Sequence, residues 1–107
     1  MDKRKKNNPF AWPFGGRRIA WIEEADRLIS DAAESLDDAP VRRGALARAM
    51  RLYVKSAMLY RKAGLGAMAA GSWEDAAECA AAIGDEESAA GYEAMAAQIE
   101  IYYEEEL

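Results

Sequence analysis

Histidine is absent from the chain, and that gap removes most of the familiar reactive constellations. Neither a Ser-His-Asp nor a Cys-His nucleophile can be assembled. His-ligated zinc and the Glu-x-x-His pattern of di-iron bundles are excluded as well. Cys79 is the single cysteine, so the chain has neither an internal disulfide nor a zinc site built from thiolates. A lone thiol suits a reducing compartment, and at this position it reads most simply as a small buried apolar side chain. Carboxylate chemistry remains. Glu74 with Glu78, and Glu93 with Glu100, each pair on one side of a helix. The same spacing describes ordinary solvated faces. No strand is expected, so no glycine-rich phosphate loop follows one. No catalytic residue, metal or cofactor is expected, and the chain is read as a non-enzyme.

The residues better placed for chemistry are those of recognition. Lys3, Arg4, Lys5 and Lys6 precede Phe10, Trp12 and Phe14. Clustered cations seek anionic lipid head groups at roughly 1 kcal/mol each, and aromatic rings settle at the membrane boundary. Such an arm can anchor to a membrane, dock on a partner, or fold back over an exposed groove of its own domain. Further along, Arg48, Arg51, Lys55 and Lys62 share one edge of a helix. With Arg42, Arg43, Arg61 and the basic amino terminus they could contact phosphates. Against nucleic acid stands an overall charge of −5.

The charge is strongly segregated. Residues 1–18 carry six basic side chains and one acidic, residues 19–62 eight basic and seven acidic, and residues 63–107 eleven acidic and none basic. Basic and acidic helices lying side by side would produce this pattern, and so would a bipolar surface that attracts two kinds of partner.

Helices must position these groups. Threonine is absent and alanine occurs 24 times, a balance that favours helix over sheet. We expect a flexible basic and aromatic arm over residues 1–16 and one all-α domain over residues 17–107. Its helices are predicted at 17–37, 40–70, 73–83 and 86–105. In the first, Ile22, Ala25, Ile29, Ala32 and Leu36 make the apolar stripe, with acids on its flanks placed to face the basic second helix. Asp38 and Pro40 suit the start of the second helix. Two apolar tracks, Ala45-Ala49-Leu52-Ser56-Leu59-Ala63 and Leu46-Met50-Tyr53-Ala57-Tyr60-Gly64, then form one wide face. Gly64 and Gly66 allow a break near Leu65, but the turn is assigned to Ala70-Gly71-Ser72, with Ser72 capping the third helix. Gly84 is a left-handed C-cap candidate. The last helix opens on stacked acids at 85–87 and buries Tyr92, Met95, Ile99 and Tyr102.

The spacing Tyr60, Ala63-Gly64, Ala67, Gly71, Trp73, Ala76, Ala80 resembles one tetratricopeptide repeat. It is also similar to the helical hairpins of the soluble attachment proteins that act with membrane-fusion disassembly ATPases. The resemblance covers about a third of the chain and departs from the pattern where Ala67 and Ala80 replace bulky residues. It implies that Gly64 and Ala76 let two helices approach closely, and that Trp73 opens the second of them.

The fold expected is a small antiparallel four-helix bundle or a stacked pair of hairpins. The work expected is a cytoplasmic adaptor or scaffold that binds a protein, or its own copies, through a groove beside the hairpin. Tyr53, Tyr60, Trp73 and Tyr92 are the groove candidates, each of which could equally serve the core. The alternatives are a peripheral membrane adaptor anchored through residues 3–14 and a helical protein associated with nucleic acid.

Overall fold

The apolar stripes predicted above belong to an all-α fold, with Ala25, Ala32, Ala49, Tyr53, Tyr60 and Ile99 among the members that are buried. The computed structural model describes residues 14–37 and 40–106, with side chains described for 16–37 and 40–99. Four helices follow one another: α1 (Phe14–Ser35), α2 (Arg43–Lys62), α3 (Gly66–Ala82) and α4 (Glu86–Glu106). Among the described residues there is no strand. Helices pack in chain order, α1 on α2, α2 on α3 and α3 on α4. Of the arrangements expected, this is a run of antiparallel hairpins, each helix leaning mainly on its sequence neighbours.

The core is thin and rich in alanine. One cluster gathers Ala25, Ala57, Tyr60, Ala69, Ala70, Trp73, Ala96 and Ile99. A second, nearer the other ends of the helices, holds Ala32, Ala49, Tyr53, Ala76 and Cys79. Small side chains bring helix axes close, so the few large ones carry most of the apolar burial. α3 is covered on both sides: Ala69, Ala70, Trp73, Ala76, Ala77, Cys79 and Ala80 are all buried on it. With α2 it is one of the two inner helices of the packing.

The reverse turn differs from the expectation. The second helix does not run to residue 70; it stops at Lys62, and the chain turns through Ala63, Gly64 and Leu65. Gly64 takes φ +84°. Its N–H donates to the carbonyl of Arg61, and the Leu65 N–H donates to that of Tyr60. That pair of bonds is the Schellman arrangement, which requires a left-handed residue best supplied by glycine. Arg61 and Lys62 occupy the last turn before it, where cations favour the negative end of the helix. Gly71 and Ser72 therefore lie inside α3, and Ser72 is buried there instead of capping a helix.

The link from α3 to α4 repeats this turn twenty residues later. Gly84 has φ +87°, and the N–H groups of Gly84 and Asp85 donate to the carbonyls of Ala81 and Ala80. The left-handed role expected of Gly84 is met. Asp85 then caps α4, its Oδ1 accepting the Ser88 N–H at 3.1 Å.

Two starts also move. Helix is present from Phe14, three residues before Arg17, so the arm boundary at residue 16 falls inside α1. α2 begins at Arg43 after an extended Arg42 with φ −82° and ψ 154°, and no side chain caps it. Pro40 thus precedes the helix instead of opening it. Lys3, Arg4, Lys5, Lys6, Phe10 and Trp12 lie outside the described residues, as does Asp38, and so do the side chains of Phe14, Glu100 and Tyr102.

Candidate functional site

α1 and α2 are tied together where the amino end of one meets the carboxyl end of the other. Arg18 Nε donates to the Ala63 carbonyl at 2.6 Å, satisfying an acceptor that the end of α2 leaves open. The Lys62 ammonium lies 5.3 Å from the centroid of the Trp21 ring, a cation–π contact. Tyr60 donates its hydroxyl proton to Asp26 Oδ1. Burial, then this bond and the charge of Asp26, push the Tyr60 phenol up to about 12.

Beside these ties the helices leave an open groove of about 790 Å³. Leu28 of α1, Met58 and Leu59 of α2, Trp73 of α3 and Met95 of α4 supply its apolar lining. Glu24, Lys55, Arg61 and Lys62 complete the wall. Met58 is 58% exposed, a large apolar side chain standing at the edge of the depression. Glu24 is partly answered already: Arg27 Nη2 donates to its Oε2 at 2.5 Å, and Arg27 Nη1 reaches Asp31 at 3.1 Å. The hydrogen bond from Arg27, with help from its charge and that of Lys55, holds the Glu24 carboxyl below its usual range. Among the described residues neither Lys55, Arg61 nor Lys62 is in an ion pair. The acids of α1 were expected to meet the basic edge of α2; instead, both ion pairs between described residues lie within α1.

Of the four expected groove residues, only Trp73 lines this depression. Tyr53, Tyr60 and Trp73 are buried, at 8%, 2% and 5% exposure, and belong to the core. Tyr60 and Trp73 share one cluster, Tyr53 sits in the other, and Tyr92 packs against both. Trp73 and Tyr92 stack with ring centroids 5.6 Å apart and planes 29° from parallel. The Trp73 indole N–H is buried with no acceptor, which typically costs about 1–3 kcal/mol. Arg48, Arg51, Lys55 and Lys62 are all exposed, as a basic edge requires.

Leu59 and Met95 were expected as buried stripe residues and not as groove lining, and Met58 was not named at all. A signal for Met58 existed. Arg51, Lys55, Met58 and Lys62 step by four, three and four, so Met58 is the one apolar member of an otherwise cationic stripe. No helix of the described residues is long and apolar enough to cross a membrane.

The carboxylates gather elsewhere. Glu74, Glu78 and Glu93 line a smaller depression between α3 and α4, together with Ala77, Ala96 and Ala97. Asp75 lies nearby on α3; burial, then Glu78 and Glu74, raise its carboxyl above the ordinary value. Cys79 is buried in the core, and the same combination of burial and neighbouring acids raises its thiol. A thiol so placed is a poor nucleophile.

Comparison with family models, with curated proteins and with solved structures finds no match to this chain.

Proposed function

We propose that the protein is a non-enzymatic interaction module that seats a segment of another protein in the groove between α1 and α2. The single observation behind this reading is an apolar depression that ends in exposed Met58, on the edge of a helix otherwise lined with cations. Met58 adjoins the apolar lining of Leu28, Leu59, Trp73 and Met95, and an apolar depression rimmed by charged groups is the surface feature that most often meets a partner. Antiparallel helices packed neighbour to neighbour form arrays that commonly bind along their grooves. The register of the tetratricopeptide resemblance is not kept: the turn falls at 63–65, and Trp73 lies inside α3 instead of opening it. On this reading the protein is an adaptor or scaffold of the cytoplasm, where a free thiol like Cys79 stays reduced.

A photo-crosslinking residue at position 58, in cells expressing the protein, tests the reading. A discrete protein adduct is expected from position 58 and not from position 68, since Met68 is equally apolar and 48% exposed but is not part of the groove. Equal labelling from both positions, or none from 58, would count against it.

A further inference from the structure

The groove's composition narrows what can occupy it. Its floor is apolar, through Leu28, Leu59, Trp73 and Met95, and its α2 edge carries Lys55 and Arg61. The one acid in the wall, Glu24, is engaged by Arg27. An occupant therefore meets apolar surface flanked by cations that form no ion pair among the described residues, although Lys55 lies close enough to Glu24 to help lower its carboxyl.

We infer that the groove takes an acidic amphipathic helix from a partner protein, apolar stripe down and carboxylates against Lys55 and Arg61. This rests on the interaction reading above and names the chemistry of the partner. Several observations favour a helix. From Lys55 to Lys62 the edge rises about 10 Å at 1.5 Å per residue, which matches two turns of a guest helix presenting apolar residues at i, i+3 or i+4, and i+7. A guest helix already satisfies its own backbone, so it asks the groove for apolar contact and charge alone. An acidic guest gains from the cationic edge in both encounter rate and orientation. A basic guest would leave Lys55 and Arg61 facing like charge.

The test is a displayed library of fourteen-residue helices (about four turns), its apolar stripe held constant and its flanking positions randomised among Asp, Glu, Lys, Arg, Ser and Gln. Selection is run against the full chain and, in parallel, against Met58→Ser, an exposed position where the fold should be unaffected by circular dichroism. Clones enriched only on the unaltered chain are expected to carry Asp and Glu flanks. Their synthetic peptides should bind about tenfold more weakly to a Lys55→Glu, Arg61→Glu variant, and more weakly as salt rises. Groove-dependent clones with neutral or basic flanks would overturn the acidic assignment while leaving the groove as an interaction surface. Enrichment indifferent to Met58→Ser, or no enrichment, would remove the groove reading itself. Sedimentation of the chain alone, with self-association abolished by Met58→Ser, would show that the occupant is a second copy and overturn the partner assignment.

Discussion

Tyr60 shows how one side chain joins two helices. Its ring lies in the core and its hydroxyl reaches Asp26 on α1, so the residue answers both apolar and polar demands at one contact. Tyr60→Phe keeps the ring and removes the bond. It should cost about 1–2 kcal/mol in chemical denaturation, with Asp26 returning to water. The sign with pH follows from a phenol raised to about 12. Its contribution is complete below the ordinary tyrosine value and is lost as pH climbs through 12. Tyr53 is raised as well, by burial and then by Asp75, so absorbance titration of the native protein should show more than one late phenol and lose the Tyr60 phase in Tyr60→Phe. Asp75 has the same sign with pH, in a lower window. Its carboxyl is raised by burial and by Glu78 and Glu74, so ionisation at neutral pH opposes folding. Asp75→Asn should raise the melting temperature at pH 7, and the gain should vanish once the pH falls below the ordinary aspartate value. An unchanged melting temperature at pH 7 would mean that Asp75 is better solvated than its surroundings indicate.

The elements were legible in number and type, and less so in extent. Four helices follow from alanine content and from stripes such as Ile22-Ala25-Ile29-Ala32, because a 3.6-residue period leaves little alternative. The α2–α3 boundary was misplaced because two glycine signals compete, Gly64 and Gly71, and both can break a helix. Position relative to the preceding basic turn separates them: Arg61 and Lys62 mark an end, whereas Ala69-Ala70 and Trp73 continue a stripe through Gly71. The difference should be measurable. Gly84→Ala places a side chain at φ +87°, where space is free but the backbone is strained, and should destabilise by about 1 kcal/mol. Gly91→Ala, in the exposed middle of α4 with nothing near its added carbon, should stabilise by about 0.5–1 kcal/mol. Opposite shifts in denaturation midpoint are expected; shifts of one sign would contradict the turn geometry. The groove was the least legible part. Aromatic residues were offered as contacts or core, and their size makes them the most effective fillers of an alanine-rich interior; Trp73 alone of the four also lines the groove, where the exposed large apolar side chain is Met58.

Over the whole molecule, charge and packing pull against each other. From residue 63 onward the chain has eleven acids and no base, and α3 lies against α4, so two like-charged helices are held together by alanine contacts and by the Trp73–Tyr92 stack between them. Their repulsion is carried by exposed groups such as Glu74, Glu78 and Glu93, and screening should relieve it. Raising sodium chloride from 10 to about 300 mM, where the screening length falls from roughly 30 Å to under 10 Å, should raise the melting temperature. A fall would mean that attractive pairs dominate.

The matching bends at 63–65 and 83–85 carry a different consequence. Because the same backbone device closes two successive helices at an interval of twenty residues, the chain advances by a unit of one rod and one bend, and each unit reverses its heading. Duplicating residues 65–84 would add a single rod and so move the carboxyl terminus to the opposite rim; duplicating two units would restore it. Parity of the rod count, more than overall length, decides which side of such a molecule a tethered neighbour emerges from.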